Sequence, residues 1–153
     1  MMKPILLFFL LLFAAYPSYP QSDGIRQKNF NVKKNLALDG YDPVSYFDHR
    51  PEEGKEEIAF VYKGITYLFV SAGNLNKFKA MPSKYEPAYG GWCAYAMGDS
   101  GEKVKVDPET YKIIDNKLYL FYNFWGNNTL ESWNKNEKVL QMKGDQNWKK
   151  IVP

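Results

Sequence analysis

The pattern of apolar and polar positions begins with a short apolar run near the N-terminus. Residues 5–15 are all apolar, follow Lys3, and are followed by a polar, proline-containing stretch. A membrane-spanning helix needs about 20 apolar residues, so this run is too short to span a bilayer comfortably. A basic start, a short apolar stretch and a polar exit are typical of a secretory signal peptide. We therefore expect residues 1–22 to be a signal peptide of an exported bacterial protein, periplasmic or extracellular. No second long apolar run follows, which predicts no membrane span after signal removal.

Two later segments, rich in β-branched and aromatic residues, predict β-hairpins. Residues 58–70 read IAFVYKGITYLFV, and Lys63-Gly64 separates the two apolar runs. Residues 111–122 read YKIIDNKLYLFY, with a turn at Asp115-Asn116 or at Asn116-Lys117.

Helical patterns follow each hairpin. Ser71 is a suitable N-cap for a helix over 72–80, and Pro82 begins a short helical turn. A second helical pattern covers 129–142, with Asn128 as its predicted cap. Its expected inward-facing residues are Leu130, Trp133, Val139 and Leu140. The predicted fold class is α+β, with two β-hairpins forming a small antiparallel sheet and short helices packed against it.

The chain length of 153 residues suits one domain. The polar residues 23–34 are expected to form a flexible lead-in, and residues 35–152 to form the domain. The net charge is +3, and the basic residues are dispersed. A nucleic-acid-binding protein normally has its basic residues clustered on one surface, so we expect no nucleic-acid partner.

Cys93 is the only cysteine, which excludes an intramolecular disulfide. One interpretation is a buried structural thiol, because free cysteine often behaves as a small apolar residue. The other is a reactive thiol, which needs a cation, a helix N-terminus or a base beside it. His49, the only histidine, lies in a polar stretch that indicates an exposed loop.

Metal binding would have to use sulfur. One cysteine and one histidine cannot supply four ligands to a zinc site. Copper(I) accepts sulfur from cysteine and methionine, and Met97 follows Cys93 by four positions. Cys93 and Met97 are therefore a candidate site for a transition metal such as copper, although such a pair also occurs in ordinary cores.

The turn Asp39-Gly40-Tyr41-Asp42-Pro43 places two carboxyl groups and a phenol close together. Asp residues in such turns commonly bond the nearby backbone. Alternatively, Tyr41 and Asp42 form the polar wall of a pocket with Cys93 behind them. Tyr41, Asp42 and Cys93 are the candidate ligand-binding residues.

Three segments resemble YHS-domain proteins: LALDGYDPVSYF at 36–47, the hairpin and NKFKAMPSKYEPAYGG at 60–91, and WCAYAMG with VDPETYKIIDNKLYLFYN at 92–123. The resemblance is to the exported single-domain branch, which has a lone cysteine in a Gly-Gly-x-Cys-Ala segment. It covers residues 35–151 and implies a small α+β domain.

Relatives in that family are often linked to heavy-metal handling through cysteines near the first hairpin. Val70 and Asn74 stand at those positions here, so that metal site does not transfer. This branch has no settled activity, so the resemblance does not name a function. Our leading hypothesis is a non-enzymatic, exported binding module of the YHS type for a metal ion or small molecule near Tyr41, Asp42 and Cys93. A thiol-dependent redox enzyme using Cys93 is the alternative, and a structural or partner-binding domain without a small ligand is the third possibility.

Overall fold

The structure, a computed structural model, describes residues 21–153. The predicted signal peptide lies outside these residues, apart from its last two positions. Within 21–153, no helix has the length and apolar character needed to cross a bilayer. The helices are α1 Gln21–Asn29, α2 Ala72–Ala80, α3 Pro82–Tyr85, α4 Ala94–Asp99, α5 Thr129–Lys135 and α6 Glu137–Ile151. The strands are β1 Val32–Lys33, β2 Leu36–Ala37, β3 Lys55–Tyr62, β4 Ile65–Phe69, β5 Asp107–Ile114, β6 Lys117–Phe121, β7 Asn123–Phe124 and β8 Asn127–Asn128.

The predicted α+β class is confirmed, and the strands form one larger sheet and two small ones. The larger sheet has the order β1-β2-β4-β3, in which β2 is parallel to β4 and the other pairs are antiparallel. Strands β5 and β6 form a separate antiparallel pair, as do β7 and β8. The two predicted hairpins therefore belong to different sheets. Along the chain, helices α2 to α4 and their connecting turns separate them.

Within residues 21–153, four hairpins reverse direction through two residues, and both residues of each turn have positive φ. The turns are Lys34-Asn35, Lys63-Gly64, Asp115-Asn116 and Trp125-Gly126. Positive φ at both positions defines the type I′ turn, whose twist matches that of paired strands. The turn at Lys63-Gly64 was predicted, and the second predicted hairpin uses the first of its two alternatives. The other two turns were not predicted.

The segment 23–34, predicted to be a flexible lead-in, instead contains most of α1 and all of β1. Arg26 forms an ion pair with Glu86, and the Arg26 guanidinium lies over the ring of Phe30. Phe30 is buried and packs on Trp148. The contacts of Arg26 with Glu86 and of Phe30 with Trp148 hold the segment against the domain, and its polar composition did not indicate them.

The helices after the first hairpin have the predicted bounds, but the last helical region does not. Helix α2 begins after Ser71, whose hydroxyl accepts from the Asn74 N–H at 3.1 Å. The region predicted as one helix over 129–142 is two helices that meet at Asn136. Val139 is 48% exposed, so its predicted inward position is wrong, because adjacent helical residues lie about 100° apart and the neighbouring Leu140 takes the inward position. Trp133 and Leu140 are buried as predicted, and Leu130 is partly buried.

In the described part of the chain, the buried apolar residues form two clusters. The first fills the space between the larger sheet, α2 and β6, and it contains Phe78 and Cys93. The second lies between β6, α4 and the last two helices, and it contains Met97 and Trp133. Helices α4 and α6 pack closely at Gly98, where an added Cβ would lie 2.4 Å from the carbonyl oxygen of Leu140.

Candidate functional site

Asp42 is fully buried, and its side chain organises three segments of backbone. Its Oδ1 accepts from the Val44 N–H at 2.8 Å. Its Oδ2 accepts from the Val70 N–H at 2.9 Å and from the Asn74 Nδ2 at 2.7 Å. Both oxygens are therefore engaged within the fold, and the side chain joins its own turn to the end of β4 and the start of α2.

Tyr41 is partly buried and faces a different partner. Its hydroxyl donates to Glu109 Oε1 at 3.1 Å, and its backbone forms a bridge with Glu53. Burial, together with the hydrogen bond to Glu109 and its negative charge, raises the pKa of Tyr41. The phenol therefore stays neutral above its ordinary range and acts as a hydrogen-bond donor.

Cys93 has no solvent exposure and lies at the N-terminal boundary of α4. Its Sγ lies 3.3 Å from Thr129 Oγ1, and it accepts from the Tyr122 N–H at 3.4 Å. Its backbone N–H donates to the Val104 carbonyl at 2.9 Å. The sulfur is therefore enclosed between α4, β6 and the start of α5, which matches the structural interpretation of this thiol.

Among the residues that the structure describes, the hydrogen-bond partners of the Cys93 sulfur are Thr129 and the Tyr122 N–H, and His49 is not among them. Met97 is also fully buried and lies one helical turn after Cys93, so the candidate copper pair stays a prediction. Within residues 21–153, no group of three or more His, Cys, Asp or Glu side chains could hold a metal ion. His49 is exposed in a left-handed conformation after a short 3-10 helix.

We predict that the Cys93 thiol reacts with iodoacetamide only when the protein opens. Because the sulfur is sealed from solvent, folded protein should label about 10³-fold more slowly than urea-unfolded protein, in keeping with ordinary unfolding free energies. Mass spectrometry of a labelling time course at neutral pH measures both rates. Equal rates in the two states would contradict the enclosed position of the sulfur.

A groove of about 650 Å³, here called the aromatic groove, opens to solvent on the far side of Tyr122 from Cys93. Its wall includes Tyr122, whose N–H bonds the Cys93 sulfur on the inner side. The lining residues are Asn31, Val32, Lys33, Asp39, Lys105, Val106, Tyr122, Phe124 and Trp125. Tyr41, Asp42 and Cys93 are not among them.

Trp125 is the most unusual residue of the aromatic groove. Its side chain is 94% exposed, although large apolar side chains normally avoid such exposure. It occupies the first position of a type I′ turn with φ +52°, where asparagine, aspartate or glycine is normally found. Its ring lies 5.9 Å from that of Phe124, which in turn lies 5.1 Å from Tyr122. The turn thus presents a row of three aromatic rings.

The charged groups of the aromatic groove are mainly basic. Lys33 and Lys105 are exposed, and neither forms an ion pair in the part of the chain that the structure describes. Asp39 is the single acidic lining residue. The groove therefore combines apolar rings with an excess of positive charge.

Sequence reasoning missed the aromatic groove because its walls come from distant parts of the chain. One local signal was present, namely the Phe-Trp-Gly-Asn run at 124–127, where Gly126 follows an aromatic pair. Gly126, followed by asparagine, indicates a turn at this position. Because turns lie at the surface, the adjacent Trp125 is then expected to be exposed.

Comparison with protein-family models gives no match for the chain, and comparisons with curated proteins and with solved structures give none either.

Proposed function

We propose that this protein is an exported binding module of the YHS type whose ligand is a small aromatic anion held in the aromatic groove. The observation that carries the proposal is Trp125, a large apolar side chain displayed almost completely to solvent at a turn position that disfavours it. Strained and exposed residues of this kind are retained where they serve a function.

The chemistry of the groove supports the ligand class. Three neighbouring rings offer stacking surfaces, and aromatic pairs add about 0.5–1.5 kcal/mol beyond their buried area. Lys33 and Lys105 favour a negative group on the same ligand. The volume of about 650 Å³ falls within the range of ordinary small-molecule sites, roughly 300–1,000 Å³.

This proposal differs from a site centred on Tyr41, Asp42 and Cys93. The oxygens of Asp42 and the sulfur of Cys93 are already bonded inside the fold, whereas the rings and lysines of the aromatic groove face solvent. Cys93 contributes to the aromatic groove indirectly, because its sulfur accepts a hydrogen bond from the backbone N–H of the lining residue Tyr122. The enclosed sulfur lends no support to a thiol-dependent redox reaction.

The test uses 2-naphthoate as the probe and 2-naphthylmethanol as its neutral counterpart, with calorimetry as the measurement. The anion should bind with measurable heat, and the neutral alcohol should bind several-fold more weakly because it cannot use the lysines. Lys105→Met should reduce naphthoate affinity, and Lys138→Met, an exposed lysine outside the groove, should not. Absence of naphthoate binding would leave a structural or partner-binding domain as the better description.

Trp125→Asn is the sharpest variant, because it separates binding from folding. Loss of one stacked ring should weaken naphthoate binding about tenfold, which corresponds to about 1.4 kcal/mol. The left-handed position costs an ordinary L-residue about 1–2 kcal/mol, and asparagine tolerates it, so the variant should be at least as stable as the parent. Urea denaturation measures the stability. Unchanged naphthoate affinity would contradict the role of Trp125.

A further inference from the structure

A second cavity, here called the charged cleft, lies on a different part of the domain. It is bounded by α1, the 3-10 turn Ala88–Gly91, β6 and α6, and has a volume of about 280 Å³. It shares no lining residue with the aromatic groove. This volume lies near the lower end of the range for ligand sites, which suits a molecule of amino-acid size.

One side of the charged cleft offers hydrogen-bond donors. Lys117 is partly buried, and its Nζ donates to the Ser83 carbonyl at 3.1 Å, leaving further N–H bonds without a partner among residues 21–153. Burial lowers the pKa of Lys117, and the charge of Glu86 opposes that shift. The Tyr119 hydroxyl accepts from Gln141 Nε2 at 2.8 Å, so its own O–H remains available to donate.

The other polar groups of the charged cleft are acceptors. Glu86 Oε1 accepts from the Tyr67 hydroxyl at 2.6 Å and from Arg26. Asp145 Oδ1 accepts from the Tyr89 hydroxyl at 2.9 Å. In the described part of the chain, the second oxygen of each carboxyl group has no hydrogen-bond partner. Each group is therefore held in place by one oxygen and keeps the other for a further bond.

The internal bonds make this arrangement pre-organised. Held donors and acceptors bind a ligand at lower entropic cost than mobile surface side chains do. Among the described residues, the cleft has both donors and acceptors without partners. A simple anion would therefore bond only the donors, and a simple cation only the acceptors. The rings of Phe30 and Trp148, whose centroids lie 5.7 Å apart, add apolar lining for a hydrocarbon portion.

We propose that the charged cleft is a separate binding site for a small zwitterion, a free amino acid, whose carboxylate contacts Lys117 and Tyr119 and whose ammonium contacts Asp145 and Glu86. The proposal is independent of the aromatic groove and of any ligand bound there.

The experiment screens the free L-amino acids against the purified protein by thermal denaturation, followed by calorimetry with the amino acid that gives the largest increase in Tm. That amino acid is then compared with its decarboxylated amine and with its deaminated carboxylic acid. We expect both compounds to bind at least about tenfold more weakly. Each lacks one charged group, and the binding free energy of a hydrogen bond to a charged group is about that of a tenfold change in affinity.

Two variants and two matched controls locate the site. Lys117→Met and Asp145→Asn should each weaken binding about tenfold, whereas the exposed Lys143→Met and Asp99→Asn should leave it unchanged. Asp145 is exposed, so its variant remains informative even if Lys117→Met does not fold. Trp125→Asn should have no effect. The proposal is overturned if no amino acid binds, or if binding is the same in the Asp145→Asn variant.

Discussion

Replacing Asp42 with alanine is expected to lower the free energy of unfolding by about 3–5 kcal/mol, the largest effect of any single change considered for this protein. The reason is that one side chain satisfies three donors, namely the Val44 and Val70 backbone N–H groups and the Asn74 amide. Alanine leaves these donors without their acceptor, and because the Val44 N–H is buried and the other two donors are partly buried, each lost partner carries a desolvation cost. Urea denaturation followed by circular dichroism measures the change.

Two comparison variants separate this effect from general damage to the turn. Asp39→Asn changes an exposed carboxyl group in the same turn, at a left-handed position that asparagine adopts readily, and should alter stability by less than about 0.5 kcal/mol. Asn74→Ala removes one donor rather than the shared acceptor, so its effect should be intermediate. If Asp42→Ala lay within about 1 kcal/mol of the parent protein, the carboxyl group would not be holding these segments together.

The second large effect is expected for Gly98→Ala, which should destabilise the protein by about 2–3 kcal/mol. The new Cβ would lie 2.4 Å from the Leu140 carbonyl oxygen and 3.0 Å from its Cα, and backbone atoms cannot swing aside as a flexible side chain can. Helices α4 and α6 would have to separate, which would loosen the second apolar cluster. Urea denaturation again gives the magnitude.

Gly24→Ala is a matched control, because it also replaces a glycine inside a helix. Nothing lies within 4 Å of the Cβ position at Gly24, so only the helix propensity changes. Alanine is favoured over glycine in a helix by about 0.8–1.0 kcal/mol, and this variant should be slightly more stable than the parent. A Gly98→Ala protein that gained stability to the same extent would show that α4 and α6 tolerate a wider spacing.

The parts of the fold that could be predicted from the sequence are those determined by residues adjacent to one another in the chain. The turn at Lys63-Gly64 and the cap at Ser71 depend on a few consecutive side chains, and both are found where the pattern predicted them. The helix break at Asn136 was missed because the apolar spacing continued across it. The position of α1 was missed because its contacts, with Glu86 and Trp148, are remote in sequence.

The candidate site was harder to predict for the same reason. The sequence predicted Asp42 and Cys93 as ligand-binding residues, but it could not show that their polar atoms are bonded inside the fold. The chain passes through two further strands between Cys93 and its partner Tyr122, and through four before it reaches Thr129. The aromatic groove and the charged cleft each combine side chains from several separated segments, so no local pattern could reveal them.

The four two-residue hairpin turns within residues 21–153 also affect the order of events in folding. Each joins strands that are adjacent in sequence, so its pairing closes a very short loop at small entropic cost. The parallel contacts of Leu36 with Thr66, Pro87 with Leu118 and Cys93 with Leu120 must instead close much longer loops. Because folding slows as contacts become less local, the formation of these contacts should limit the folding rate, rather than the formation of any one hairpin.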